Sequence, residues 1–208
     1  VLDKRSIRDV STEEIPEADG IIGGPPCQSW SEAGAGRGIN DQRGQLFFDY
    51  IRILMAKKPK FFLVENVSGI LSARHKDAFQ SFLNEFEKAG YVISWELVNA
   101  NDYGVPEDRQ RVIIVGFRKD LGKQFIFPEK QTYKPTLKDA IFDLPDALPS
   151  AEKNKTNGLL LIPNHEYMTG GFSSIYMSRN RVRGWNEPSF TIQAGGRHAP
   201  IHPQAPKM

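Results

Sequence analysis

The strongest constraint on the fold is a rhythm in residues 19–118, where short apolar runs alternate with stretches of helical period. Asp19-Gly20-Ile21-Ile22-Gly23-Gly24 is an apolar run halted by glycines and by Pro25-Pro26, the pattern of a buried parallel strand. Leu46, Phe47, Tyr50, Ile51, Ile53 and Leu54 form one apolar stripe and predict a helix over 45–56. Residues 61–64 (FFLV) predict a second buried strand that ends at Glu65-Asn66. Phe79, Phe82, Leu83 and Phe86 share a helical face, with Gly90 where a helix C-cap glycine is expected. Residues 91–98 and 111–117 predict two more strands joined by a polar turn holding Gly104 and Pro106, close enough to be antiparallel. Strand, helix, strand, helix, strand implies an α/β layer on a mainly parallel sheet.

The rhythm stops near residue 119. Prolines at 128, 135, 145, 149 and 163, with Gly170 and Gly171, break the rest into short pieces, so 1–118 reads as one domain and 119–208 as a loop-rich second region. Charge changes too: residues 1–149 carry 20 basic and 22 acidic groups, and 150–208 carry 7 and 3. Such asymmetry permits a polyanion-facing C-terminal region. The single cysteine, Cys27, excludes an intramolecular disulfide framework and a multi-Cys zinc site. No run of 18 apolar residues and no leader pattern is present, so a soluble protein of a reducing compartment is expected, with no membrane partner. The opening Val1-Leu2-Asp3 reads like the interior of a longer sequence.

Cys27 follows a strand directly, on the rim where open α/β sheets bind ligands, and Pro25-Pro26 stiffens the loop that presents it. It reads either as a small buried hydrophobe or as a nucleophile. Glu65 ends the next strand on the same rim. It is an ordinary strand-end residue, a helix N-cap neighbour, or an acid held protonated for proton donation. Arg109 and Arg111 fall on one side of an extended chain, as a solvated edge or as two donors aimed at an anion or carbonyl. His198 and His202 are four apart, but Pro200 and Pro203 argue against the helix a metal pair would need, and no metal is expected. Asn66-Val67-Ser68 and Asn154-Lys155-Thr156 have the form of glycosylation acceptors, with nothing else suggesting secretion.

Pro25-Pro26-Cys27-Gln28, Arg43-Gly44-Gln45-Leu46-Phe47, Glu65-Asn66-Val67, Asn101-Asp102-Tyr103-Gly104-Val105-Pro106 and Arg109-Gln110-Arg111 occur in the order and context of the DNA cytosine-C5 methyltransferases. The chain resembles that family over roughly residues 16–118. Downstream, Ser178-Arg179-Asn180-Arg181-Val182-Arg183, Trp185-Asn186-Glu187-Pro188 and His202-Pro203-Gln204-Ala205-Pro206 resemble most the HaeIII-type enzymes, which methylate the inner cytosine of GGCC. The resemblance implies a Rossmann-like S-adenosylmethionine-dependent sheet lacking its N-terminal part, followed by an incomplete target-recognition region. It implies a bacterial, cytoplasmic modification enzyme of a restriction system, monomeric when complete, acting on double-stranded DNA.

Roles follow from the same resemblance. Addition of the Cys27 thiolate to cytosine C6 makes C5 nucleophilic. Only about 3% of an ordinary thiol is ionised at pH 7, so tuning or slow turnover is implied. Glu65 would donate to N3 and bind the exocyclic amine, Arg111 would hold O2, and Arg109 would sit nearer the backbone phosphate. The base must be flipped, because none of this fits a stacked duplex. Ser6, Ile7, Gly24, Pro26 and Leu46 would line the S-adenosyl-L-methionine site. Gln28, Ser29, Arg179, Arg181, Arg183 and Arg197 would contact DNA, with Arg179, Arg181 and Arg197 reading base edges and Arg183 a phosphate contact or a neighbour of the contacting residues.

The sequence departs from the family pattern in several places. The glycine-rich first motif and the acid ending the second strand are absent, and Arg5-Ser6-Ile7 stands for Gly-Asp-Ile. Glu107 replaces the usual Gln, and the last two family motifs would lie beyond Met208. The 208-residue chain alone is therefore expected to be inactive or weakly active, to bind cofactor weakly, and to need a complementing segment. Competing readings are a catalytically silent DNA-binding fragment, a tRNA cytosine-C5 methyltransferase, and a cysteine hydrolase. The last would need a histidine base, and His75 has no obvious claim to that role.

Overall fold

A computed structural model describes residues 3–25, 46–150, 160–162, 165–167, 182–192 and 202–205. It divides into two compact units, one built from Val1–Val98 and Gln110–Pro128, the other from Asn99–Arg109 and Glu129–Met208. The fold is mixed α/β.

The first unit carries a four-stranded sheet. Its strands are β1 (Gly20–Gly23), β2 (Phe61–Val67), β3 (Tyr91–Asn99) and β5 (Gln110–Arg118), in the spatial order β1-β2-β5-β3. Helix α1 (Leu46–Lys57) lies between β1 and β2 in the chain, and α2 (Lys76–Lys88) between β2 and β3. The expectation of a mainly parallel sheet is corrected. Only β1 and β2 run parallel, with Gly20 opposite Phe61, whereas β5 is antiparallel to β2. The ends of the β3–β5 pair are joined by Lys119 N–H donating to Gly90 O and Ala100 N–H donating to Arg109 O, the pattern of an antiparallel pair. The cause is the short connection after β3: it returns the chain as β5, which inserts between β2 and β3 and occupies the edge a parallel partner of β2 would need.

The core of this unit is aromatic. Phe47 of α1 stacks on Phe82 of α2 with ring centroids 4.0 Å apart, and Phe62 of β2 meets Phe86 at 4.6 Å and Tyr91 at 5.1 Å. Each fully buried ring contributes about 1.5–3 kcal/mol through the surface it removes from water. Both helices take the faces their stripes predict. In β2 the period of two buries Phe62, Val64 and Asn66 and turns Phe61, Leu63 and Glu65 to the other face, while Val67 at the strand's end packs against the core. The strand continues to Val67 rather than stopping at Val64, because Glu65 and Asn66 pair with Ile113 and Val112 of β5. Gly90 follows α2 with φ of +99°, the left-handed position expected of it.

The second unit is held differently. Helix α3 (Leu137–Ile141) is closed by a capping box in which the Asp139 carboxylate accepts from Thr136 N–H at 2.8 Å and from its hydroxyl at 2.6 Å. Its strands among the described residues are two-residue pairs, β4 (Glu107–Asp108) with β8 (Ser189–Phe190) and β6 (Leu148–Pro149) with β7 (Glu166–Tyr167). Residues 99–109 belong here by compactness, although they lie before residue 118: Asn101 Nδ2 donates to Pro135 O at 2.8 Å, and Asp102 pairs with Lys130 and Lys134. Residues 119–128 stay with the first unit, where Ser94 Oγ donates to Phe125 O at 2.7 Å. Among the described residues no helix is long and apolar enough to cross a membrane.

Candidate active site

Glu65 and Arg111 meet across β2 and β5. The antiparallel register sets Glu65 opposite Ile113 and Val67 opposite Arg111, so Glu65 and Arg111 are diagonal neighbours on the face away from the aromatic core. Long side chains reach across such a diagonal. Arg111 Nε donates to Glu65 Oε1 at 2.6 Å, and Arg111 Nη1 donates to the Gln110 carbonyl at 2.7 Å. The arginine side chain is only 19% exposed and the glutamate 38%, so this charged pair is partly withdrawn from water yet reachable. The acid therefore does not sit alone at a strand end; it is oriented by a guanidinium inside a strand.

The segment leading toward Cys27 comes to the same place. A Cβ built on Gly24 would lie 3.6 Å from Glu65 Oε2, so this backbone runs past the carboxylate without a side chain between them. Asn66, 1% exposed, donates from Nδ2 to Pro25 O at 3.3 Å, while its Oδ1 accepts the Val67 N–H at 2.9 Å. Tyr50 of α1 braces the strands, its hydroxyl directed at the carbonyls of Ile21 and Leu63 at 2.9 and 3.2 Å; burial pushes its phenol well above the usual range. Gly23 is required here, because a Cβ would fall 2.6 Å from the Tyr50 ring. The sequence places Tyr50 on an apolar helical stripe and Asn66 in a motif, and assigns neither this bracing role. The signal for Asn66 was present: an amide inside an apolar strand must find partners.

Among the residues expected at the cofactor, Ser6 caps a short 3₁₀ turn, its hydroxyl accepting the Arg8 N–H at 3.4 Å, and Ile7 is 37% exposed. Arg52 Nη2 holds this turn to α1 by donating to Ile7 O at 3.0 Å. Leu46 is the first residue of α1. Arg109 lies in the other unit, between β4 and β5, so strand alternation does not govern it as the sequence reading supposed. Its N–H donates to Asn99 Oδ1 at 3.0 Å and its Nη1 is 3.9 Å from Glu107 Oε1. Arg183, in that same unit, faces two carboxylates, Asp108 and Glu187, each at 3.2 Å. Cys27, Pro26, Gln28, Ser29, Arg179, Arg181 and Arg197 lie outside the described residues. His75 is buried, which lowers its pKa, and its short turn precedes α2.

A model of the family described as C-5 cytosine-specific DNA methylase matches residues 2–208. The chain is 57% identical over 210 residues to the type II methyltransferase M.FnuDI of Fusobacterium nucleatum, an alignment covering 99% of this chain and 61% of that protein. It is 59% identical to M.NgoPII of Neisseria gonorrhoeae, covering 97% of this chain and 61% of the relative. The chain thus spans about three fifths of the length of these relatives. Among solved structures, a candidate DNA modification methyltransferase encoded within an E. coli prophage matches with a TM-score of 0.62 at 26% identity, covering 98% of this chain and 71% of the other. A family match over nearly every residue, joined to a fold that sets Glu65, Arg111 and the approach to Cys27 on one face, leads to one assignment: the chain belongs to the C-5 cytosine-specific DNA methylases.

Proposed function

We propose that this chain carries the nucleophile and base-holding groups of an enzyme that methylates C5 of cytosine in double-stranded DNA, with GGCC as its site, in a restriction-modification system. One observation carries the reading: Glu65 and Arg111 are joined side by side where the backbone before Cys27 passes. Cytosine presents its amine, N3 and O2 along one edge. A carboxyl group and a guanidinium held next to each other can bind amine and N3 with one and O2 with the other.

The Cys27 thiolate adds to C6, forming the sulfur–carbon bond while electron density moves into the ring toward N3, where Glu65 supplies a hydrogen bond or proton and Arg111 steadies the negative O2. C5 thereby becomes nucleophilic. Once C5 carries the methyl group, its proton passes to solvent, the C5–H electron pair re-forms the C5–C6 double bond, and the sulfur–carbon bond breaks to return the Cys27 thiolate. Asn66, by holding Pro25, fixes the start of the loop that bears the thiol. S-adenosylmethionine, when bound, supplies the electrophilic methyl group. Two described residues support an apolar, open approach for it: Gly24 offers bare backbone and Ile7 an exposed apolar side chain, whereas the Ser6 hydroxyl is already used by its own turn. Pro26 and Leu46 would complete that approach. Arg179, Arg181 and Arg197 read bases; Gln28 and Ser29 meet the flipped nucleotide.

The test is a GGCC duplex bearing 5-fluorocytosine at the target, mixed with the whole protein and S-adenosylmethionine. A covalent adduct is expected with the wild type and none with Cys27→Ser, which should still bind DNA. Glu65→Gln should slow methyl transfer about 10²–10⁴-fold with little loss of stability. Adduct formation by Cys27→Ser would end the covalent reading, and a Glu65→Gln rate within about twofold of wild type would reduce Glu65 to a structural part. Equal trapping on mismatched duplexes would remove only the GGCC assignment.

A further inference from the structure

Two adjacent carboxylates, Glu107 and Asp108, fasten residues 183–192 to the turn that carries Arg109. Asp108 Oδ2 is 3.2 Å from Arg183 Nη2, and Asp108 Oδ1 accepts from Asn99 Nδ2 at 2.9 Å. The Asp108 carbonyl accepts the Thr191 hydroxyl at 3.1 Å. Glu107 Oε1 accepts the Ile192 N–H at 3.1 Å and faces Arg109 Nη1 at 3.9 Å. Asn99 closes the circuit, its Oδ1 accepting the Arg109 N–H at 3.0 Å. The β4–β8 ladder beside them is only two residues long, so these side chains do much of the fastening.

Arg183 is the centre of this arrangement. Its second terminal nitrogen donates to Glu187 Oε1 at 3.2 Å, its guanidinium lies 4.0 Å over the Phe190 ring, and its Nε is buried without a hydrogen-bond partner among the described residues. A phosphate-binding arginine presents its fork outward; this fork meets two carboxylates and its flat face meets a ring. We propose that Arg183 is a positioning residue rather than a DNA contact, locking the segment that follows Arg179 and Arg181 onto Glu107 and Asp108, so that one pair of carboxylates sets both the base-reading segment and Arg109. The inference rests on the DNA-methylating function proposed above and reassigns Arg183, which the sequence had grouped with the DNA-contacting arginines.

The experiment measures binding of the whole protein to a random-sequence duplex, a GGCC duplex and its single-mismatch versions at several salt concentrations. The variants are Arg183→Met, Arg183→Lys, Asp108→Asn and the double variant Arg183→Met/Asp108→Asn. A phosphate contact predicts that Arg183→Met lowers the slope of log affinity against log salt by about one on every duplex, while Asp108→Asn does not. Positioning predicts an unchanged slope and a loss of about tenfold in discrimination between GGCC and mismatched duplexes, on the order of one bidentate base contact. Arg183→Met and Asp108→Asn should lose it alike, and the double variant should be no worse than either. Arg183→Lys should regain part of it, keeping the charge without the fork and stack. A slope loss of about one in Arg183→Met alone, or thermal destabilisation with discrimination intact, would overturn the proposal. If wild type binds DNA without preferring GGCC, the site assignment fails while the slope on random DNA still decides Arg183; if wild type binds no DNA, the function fails and this inference with it.

Discussion

The two compact units solve the same problem with different chemistry. In the first, Phe47, Phe62, Phe82, Phe86 and Tyr91 are all fully buried and touch one another. Among the described residues of the second, the buried set includes Asn101, Asp102, Ser150, Ser189 and His202, with few large apolar side chains beside them. The first unit is thus stabilised mainly by apolar burial, which has no charge for salt to screen or for pH to titrate. The second relies on charged and amide groups whose strength depends on both. Under the proposed function, Glu65 and Arg111 would need an unmoving frame, whereas a segment meeting a polyanion would tolerate a frame sensitive to ions.

The largest expected effect tests the apolar half. Phe82 is fully buried, stacked on Phe47 and edge-on to Phe48. Phe82→Ala should cost about 3–5 kcal/mol in urea denaturation, unchanged between 0.1 and 1 M salt. A loss below about 2 kcal/mol would mean that α2 does not carry the core.

The same contrast explains what the sequence disclosed. The stripes of α1 and α2 and the alternation of β2 were legible because burial by a regular element repeats with that element's period. The place of β5 was not, since which strand neighbours β2 depends on contacts far apart in sequence, and a strand-helix rhythm looks the same whether β3 or β5 fills that edge. Glu65 was legible as a candidate because a carboxylate ends an apolar run, but its partner was not: Glu65 and Arg111 are 46 residues apart. The carboxylate pair at Glu107 and Asp108 was invisible for the same reason, its partners Arg183 and Ile192 lying 75 and 85 residues away and following no period. Motif resemblance recovered some of what periodicity could not, and it named Asn66 and Asp102 without saying what they hold.

Acid should find the second unit next. His202 is 8% exposed; burial, helped by nearby His165, pushes its pKa down to about 4. Its Nδ1 accepts the Gln204 N–H at 3.2 Å, and the Gln204 amide in turn accepts the Ala147 N–H at 2.7 Å. The unfolded chain binds a proton near pH 6.5 that the folded chain refuses until about pH 4, so stability falls as pH drops through that window, by about 3 kcal/mol at most. Hydrogen exchange at Ala147 and Gln204 should quicken between pH 6.5 and 4.5 beyond the intrinsic chemical rate. His202→Asn, whose Oδ1 can still accept from Gln204, should flatten that response. His75 in the first unit is also lowered by burial, so His75→Asn is the control: if it alone removes the acid response at Ala147, the assignment to His202 fails.

A smaller effect is expected at Asp102. Its side chain is 10% exposed, and Lys134 first, then Lys130, hold its carboxyl below the usual carboxylate range. Asp102→Asn should cost about 1–2 kcal/mol at low salt and less at 1 M, because the lysine ends are half in water. Its folded pKa is depressed, so its contribution is present above about pH 4 and is lost only as pH falls further. The wild type and the Asp102→Asn variant should therefore converge in stability as pH falls below the ordinary carboxylate range.

The smallest effect repeats that operation, removal of one carboxylate, where the first unit offers it. Glu85 and Lys88 form an i,i+3 pair at 2.7 Å on α2, with side chains 33% and 70% exposed. The lysine end stays in water and the glutamate is only partly covered, so the attraction is largely screened and must offset the entropy of holding two long side chains together. Glu85→Gln should cost no more than about 0.5 kcal/mol and the cost should vanish at 1 M salt, although its hydrogen-bond length equals that of many buried pairs. Paired denaturation curves of Glu85→Gln and Asp102→Asn at two salt concentrations make the comparison. A Glu85 effect as large as the Asp102 effect would mean that exposed ion pairs carry the first unit as well, and the division of chemistry between the two units would then be one of position along the chain only.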